Sequence, residues 1–218
     1  MHDTALTIGS LFLDNYARPP CTVVELGAMN VNGTLRNMVP EAAVYIGLDI
    51  QAGLGVDVVV KPGAPLPLAS ETADLVISSS MFEHDSFFWE TFLEMVRIAK
   101  PNGAIYINAP SNGQYHRYPA DNWRFYPDCG KALESWARKN NFVVTLIESF
   151  IAERKNDIWN DFVAIFVRSD ADLIRDVTFL SHQVPCTNAW QFGKSEIVFP
   201  RAASQDMVLI EKLRKDTT

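Results

Sequence analysis

The stretch Val23-Val24-Glu25-Leu26-Gly27-Ala28-Met29-Asn30-Val31-Asn32-Gly33 puts a carboxylate at the end of an apolar run and then opens into small residues. A strand end built this way cradles a ligand: Gly27 and Ala28 let it approach the backbone closely, and Gly33 accepts angles that other residues resist. A second apolar run, Tyr45-Ile46-Gly47-Leu48-Asp49-Ile50, carries a carboxylate suited to gripping the two hydroxyls of a ribose. Two strand ends then face one ligand, and their spacing fits a nucleoside cofactor. Met29 stands where G-x-G-x-x-G needs its second glycine, and no neighbouring helix start offers a clean pyrophosphate cradle, which argues against a dinucleotide.

Such a pair needs a sheet to hold it. Residues 5–16 space Leu6, Ile8, Leu11, Phe12 and Leu13 at mostly helical intervals, and Arg18-Pro19-Pro20 stops this covering helix. Strands are expected near 22–26, 44–48, 56–60, 73–79 and 103–109, with helices near 34–38 and 86–99. That alternation implies an α/β fold with a mainly parallel sheet covered on both faces. The second long helix presents Phe87, Phe88, Phe92, Leu93, Met95, Val96 and Ile98 as a broad apolar face, and Lys100-Pro101-Asn102-Gly103 closes it. A helix from Pro127 to Lys139 and strands at 142–147 and 162–167 follow. After Arg168 the pattern loosens: 171–180 is compatible with a helix, 181–206 has no clear period, and 207–213 suits a last short helix. Residues 1–169 are therefore read as one domain, and 170–218 as an extension serving as lid, dimer contact or tail.

The chain has 218 residues, 48% of them hydrophobic and 21% charged, the balance of an ordinary globule with a real core. Its 19 basic and 26 acidic side chains give a net charge of −7, which disfavours a general nucleic-acid surface and makes a small-molecule partner the expectation. Cys21, Cys129 and Cys186 are scattered and odd in number, so reduced thiols are expected rather than disulfides or a zinc cluster. No apolar run approaches the roughly 20 residues that span a bilayer, and the N-terminus lacks a basic secretion start. A cytoplasmic protein with no membrane partner is expected, and a homodimer remains open.

The order of these parts resembles class I S-adenosylmethionine-dependent methyltransferases of the type 11 kind, across roughly residues 20–168. Ala73-Asp74-Leu75-Val76-Ile77-Ser78-Ser79-Ser80-Met81-Phe82-Glu83-His84 resembles the family's fourth strand with its Glu-His pair, and Arg97 to Gly103 its Lys-Pro-Gly-Gly turn. The resemblance implies a Rossmann-like, seven-stranded sheet with helices on both faces and an antiparallel last strand. It implies S-adenosylmethionine as cofactor, with Glu25, Gly27, Ala28, Met29, Asn30, Asn32 and Gly33 around its methionine part and ribose. Asp49 would hold the ribose hydroxyls, Ile50 and Val60 would line the adenine slot, and Ser79 joins these contacts. Two positions depart from the family: Met29 replaces a glycine, and Lys61 stands where an acid is common.

On the acceptor side, the segment from Pro110 to Tyr126 follows the fifth strand, at the end of the sheet where open α/β folds bind ligands. Tyr115, Tyr118 and Trp123 offer flat faces to a sugar, and Arg117 and Arg124 suit a carboxylate or phosphate. Methyl transfer to an alcohol needs a base, and His116 and His84 are the candidates, with Asp121 or Glu83 to orient an imidazole. His116, Asp121 and Asn122 also offer ligands for magnesium or manganese. No acidic pair follows the fourth strand, where Ser78-Ser79-Ser80 stand, so no catalytic metal is expected. The Ser79 to Phe82 run also lacks the Asn/Asp-Pro-Pro-Tyr pattern of DNA-base amine methylation.

The function expected from all this is O-methylation of a small molecule such as a sugar or glycosyl intermediate. Two rivals stand beside it: a catalytically silent member of the fold acting as a binding or scaffold protein, favoured by Met29 and Lys61, and a nicotinamide-dependent oxidoreductase.

Overall fold

Alternating Val, Ile and Leu runs become the inner strands of one eight-stranded sheet in a computed structural model that describes residues 2–201 and 205–216. The strands are β1 (Thr22–Leu26), β2 (Val44–Asp49), β3 (Val58–Val59), β4 (Ala73–Ser79), β5 (Ala99–Pro110), β6 (Thr145–Ala152), β7 (Asp161–Val167) and β8 (Cys186–Gln191). They lie in the order β3-β2-β1-β4-β5-β7-β6-β8. Strands β1 to β5 pair in parallel, β7 runs antiparallel between β5 and β6, and β8 runs antiparallel along β6. From β1 the chain winds one way to β2 and β3, and from β4 the other way to β5. The switch between β1 and β4 opens a crevice at their carboxyl ends.

Helix α1 (Asp3–Tyr16) covers one face, burying Ile8, Phe12 and Leu13 on Val23, Leu75, Ile77 and Tyr106. Helices α2 (Phe88–Ile98) and α3 (Asp128–Lys139) cover the other. Their Phe92, Met95, Val96, Ile98 and Leu133 pack on Val24, Val76, Ile105, Ile107 and Phe166. The two-sided cover explains why β4 and β5 read as continuous apolar runs. A last helix, α4 (Gln205–Asp216), spans the short helix expected at 207–213.

Several expectations are corrected. The sheet has eight strands rather than seven, because Cys186–Gln191 pairs with the outer edge of β6 within the segment expected to be an appendage. Thr187, Asn188 and Gln191 hide that strand from any hydrophobic period; an open strand edge supplies its pairing. The region 171–180 holds only a single helical turn at Ala171–Leu173 rather than a helix. The expected helix at 34–38 is likewise a turn, Arg36–Met38. Strand β6 begins at Thr145, not 142. Lys100 to Gly103 forms an irregularity inside β5, since Ala73 pairs Ala99 and Leu75 then pairs Ala104.

The segment after β7 is fastened by Glu148 of β6. Its fully buried carboxylate accepts the Leu180 N–H at 2.6 Å, the Ser181 N–H at 3.2 Å and the Ser181 hydroxyl. Burial pushes this carboxyl up to about 7. Glu148→Ala would strand two backbone donors in a dry interior, so we expect a loss of about 3 kcal/mol and a Tm drop of roughly 6–12 °C by circular dichroism. An unchanged Tm would mean that water replaces the carboxylate.

Candidate active site

The loop after β1 folds back over β2. The N–H groups of Gly27 and Ala28 donate to Leu48 O at 2.9 and 3.0 Å, and the N–H of Met29 donates to Asp49 Oδ2 at 3.1 Å. Gly27 has φ +80, and a Cβ there would lie 2.6 Å from Met81 Cβ, so only glycine serves. Asn30 pins the loop twice, donating its N–H to Leu54 O at 2.8 Å and accepting the Gly33 N–H at 3.0 Å. Gly47 gives room to the chain beyond β2, because a Cβ on it would lie 2.3 Å from Gly55 O. Asp57 accepts the Gly47 N–H at 2.7 Å and pairs with Arg36. Asp49 thus stands at the carboxyl end of β2 beside the small-residue loop, with Ile50 exposed next to it.

Two of these residues sit differently from expectation. Glu25 is only 1% exposed and bonds the Tyr45 hydroxyl beneath the loop, so it braces the crevice instead of lining it. Burial pushes its carboxyl up to about 7, and the Tyr45 hydroxyl bond works against that rise. Met29 reaches across: its Cε and Cγ lie 3.3 Å from where a Cβ of Gly53 would sit, and its Sδ lies 3.7 Å from the Tyr118 hydroxyl. The thioether therefore bridges the chain after β2 and the acceptor segment. Asn32 is exposed at the outer end of the loop, and Val60, just past β3, is half-buried.

The acceptor segment is tied to the end of β4 by its main chain. Asn122 and Trp123 N–H donate to Glu83 O at 2.7 and 3.2 Å, Asn122 Nδ2 donates to His84 O at 3.0 Å, and the Trp123 indole donates to Asp85 O at 2.8 Å. This brings His84 and His116 together, ring centroids 5.0 Å apart. His84 donates Nδ1–H to Ala120 O, and His116 Nδ1 lies 3.2 Å from Gln114 O. Burial lowers the His84 imidazole.

Asp121 serves the loop more than the ring. Its Oδ2 accepts the His116 backbone N–H at 2.7 Å and lies 3.5 Å from the imidazole. Arg124 clamps it at 2.6 and 2.9 Å and holds the carboxyl down at about 2. Arg124, expected to bind an acceptor anion, is occupied by Asp121 and by Gln114 O at 2.9 Å. Arg117 is exposed and donates Nε–H to Pro119 O at 3.1 Å. Tyr115 and Tyr118, 73% and 53% exposed, present free faces at the rim with Trp123 and Tyr126.

Below them lie buried polar groups without hydrogen-bond partners, Ser79 Oγ, both side-chain atoms of Asn108 and Glu83 Oε2, beside a buried Asp161 whose Oδ1 lies 3.0 Å from His2 Nε2. They cluster at the carboxyl ends of β4 and β5 and the start of β7, where Ser79 pairs Asn108 and Pro110 pairs Asp161. Burial pushes Glu83 up to about 8 and Asp161 up to about 7. Asn108 was not anticipated; the available cue was a polar residue at the end of the apolar run Ile105-Tyr106-Ile107. No spacing marks Tyr45 as the partner of Glu25.

Residues 28–107, from the β1 loop into β5, match the family model of the methyltransferase domain. An uncharacterized methyltransferase of Mycobacterium tuberculosis is 30% identical over 118 residues, 49% of this chain and 46% of its own length. One from Mycobacterium leprae is 29% identical over 118 residues, 49% of this chain and 44% of its own. The chain spans about half the length of the curated relatives it matches. The Burkholderia thailandensis 1,6-didemethyltoxoflavin-N1-methyltransferase, with 1,6-didemethyltoxoflavin and S-adenosylhomocysteine bound, has a TM-score of 0.62 at 14% identity, covering 76% of this chain and 79% of that one. A SAM-dependent methyltransferase from Aquifex aeolicus gives 0.51 at 16%, covering 73% and 89%. At these identities the structural likeness speaks for the fold. The strand order and the crevice at its switch point are thus those of the class I S-adenosylmethionine-dependent methyltransferase fold, and residues 28–107 match its methyltransferase domain.

Proposed function

We propose that the chain transfers a methyl group from S-adenosylmethionine to a hydroxyl oxygen of a small polyhydroxylated molecule, a sugar or glycosyl intermediate before others. The position of Tyr118 carries this reading: its hydroxyl is 3.7 Å from Met29 Sδ, and its ring centroid 6.4 Å from that of His84. One residue of the acceptor segment thus touches the cofactor loop and adjoins the imidazole pair. An acceptor stacked on the exposed tyrosines would meet both.

The donor set fits the cofactor. Asp49 suits a ribose diol, and a loop of carbonyls and small residues with a nearby carboxylate suits a cationic ligand better than a pyrophosphate. Bound there, S-adenosylmethionine would supply an electrophilic methyl on a sulfonium. The protein's own work is to hold the acceptor oxygen in line and to take its proton. His116 and His84 are placed for that proton, since each Nδ1 faces a backbone carbonyl and each Nε2 is left as the basic nitrogen.

The test is incubation of a metabolite extract with the protein and methyl-deuterated cofactor, read by mass spectrometry for label on a hydroxyl. Label on nitrogen would overturn the choice of acceptor atom. The bridging thioether of Met29 favours a silent, binding-only member of the family, and calorimetry with S-adenosylhomocysteine separates the two: no binding at millimolar ligand would defeat the transferase. Met29→Gly removes the bridge and is expected to tighten that binding about 10-fold, the effect of freeing one half-buried thioether contact. Weaker binding would show that the thioether belongs to the cradle.

A further inference from the structure

Among the described residues, Glu83, His84 and His116 bring one ligand atom each within 4.8 Å of one another. We infer that these three side chains form a site for a divalent transition-metal ion, zinc first, at the acceptor end of the crevice. This set differs from the His116, Asp121 and Asn122 group suggested by sequence, because Asp121 is taken by Arg124 and by the His116 main chain.

Three observations carry the inference. Glu83 is 1% exposed, its Oε2 has no hydrogen-bond partner, and its Oε1 is 3.5 Å from His84 Nε2, too long for a good bond. A buried carboxylate left this way is costly, and a cation would satisfy it. Both imidazoles also turn Nδ1 to a backbone carbonyl, Ala120 O and Gln114 O. That outer bond is what fixes a metal-binding histidine, leaving Nε2 as the ligand. Finally, one carboxylate and two imidazoles are a donor set for zinc or iron(II), with positions left open, and not for magnesium.

Bonds of about 2.1 Å place tetrahedral ligands roughly 3.4 Å apart, so the three groups must draw together by about 1 Å. His116, on a loop with a side chain 39% exposed, can supply that movement. Three protein ligands would leave an ion with at least one position open. Its use rests on the proposed transfer and changes the proton's route: with an ion bound, the two Nε2 atoms are ligands and no longer bases, and an acceptor hydroxyl on the ion would lose its proton to solvent instead. Binding itself does not depend on that proposal.

The test uses the full chain, stripped with chelator and titrated with Zn2+ against a chromogenic competitor. We expect about one ion per chain. His116→Ala should weaken affinity about 100-fold, as should Glu83→Gln if it folds, while His182→Ala, away from the cluster, leaves it unchanged. Equal affinity in His116→Ala would overturn the site. So would a thiolate charge-transfer band in the Co2+ spectrum, which would assign the ion to a cysteine. S-adenosylhomocysteine binding measured without metal keeps the outcomes apart: cofactor binding with no ion defeats this site alone, and an ion with no cofactor binding defeats the transferase alone.

Discussion

Asp49→Ala is expected to raise the Kd for S-adenosylhomocysteine about 100-fold in calorimetry, with the fold intact. The carboxylate ends β2 beside the loop that crosses it, and a ribose diol on it would form two charge-assisted hydrogen bonds. At about 1.5 kcal/mol each, their loss amounts to roughly 3 kcal/mol, or two decades of affinity. Asp49 also accepts the Met29 N–H at 3.1 Å and the Gln51 N–H at 3.3 Å, so alanine additionally loosens the loop. Asp49→Asn separates the two effects: its amide oxygen can keep the Met29 bond while the charge is gone. We expect a loss of about 10-fold there. A Kd within twofold of the parent in both variants would remove Asp49 from cofactor recognition.

How much of this was legible depended on whether the deciding contact is local. Asp49 and the Gly27 to Gly33 loop could be found because a strand end and a tight turn need particular residues in a short stretch. Strands β1, β4 and β7 could be found because burial on both faces leaves an unbroken apolar run. Strand β8 could not, since its pairing comes from the open edge of β6, far away in sequence. The role of Glu25 turned on Tyr45, a residue of the neighbouring strand that reads as ordinary core until the register sets it opposite Val23. Arg124 looked like an anion binder by type, and only the fold shows its guanidinium closed on Asp121 three residues earlier. The nearness of His84 and His116 was suggested by their places after β4 and β5. The unsatisfied Glu83 between the sheet and that pair follows from burial, which no residue type announces.

The imidazoles define the second large effect. His116→Ala is expected to lower kcat about 1000-fold, within the usual range for removing a group that handles a proton, while the Kd for S-adenosylhomocysteine stays within about twofold. The separation follows from position: Tyr118 stands between the cofactor loop and His84, and His116 lies beyond His84 against Trp159, ring centroids 4.9 Å apart. Truncating a half-exposed loop side chain also costs the fold little. His84→Ala should behave otherwise. The Nδ1 bond to Ala120 O ties the acceptor segment to the end of β4, so its loss should raise KM as well as lower kcat. The same kcat in His116→Ala as in the parent would show that neither a basic nitrogen nor a bound ion at this residue takes part in the reaction. A fall in kcat matched by a fall in cofactor affinity would move His116 from the acceptor side of the crevice to the cofactor side.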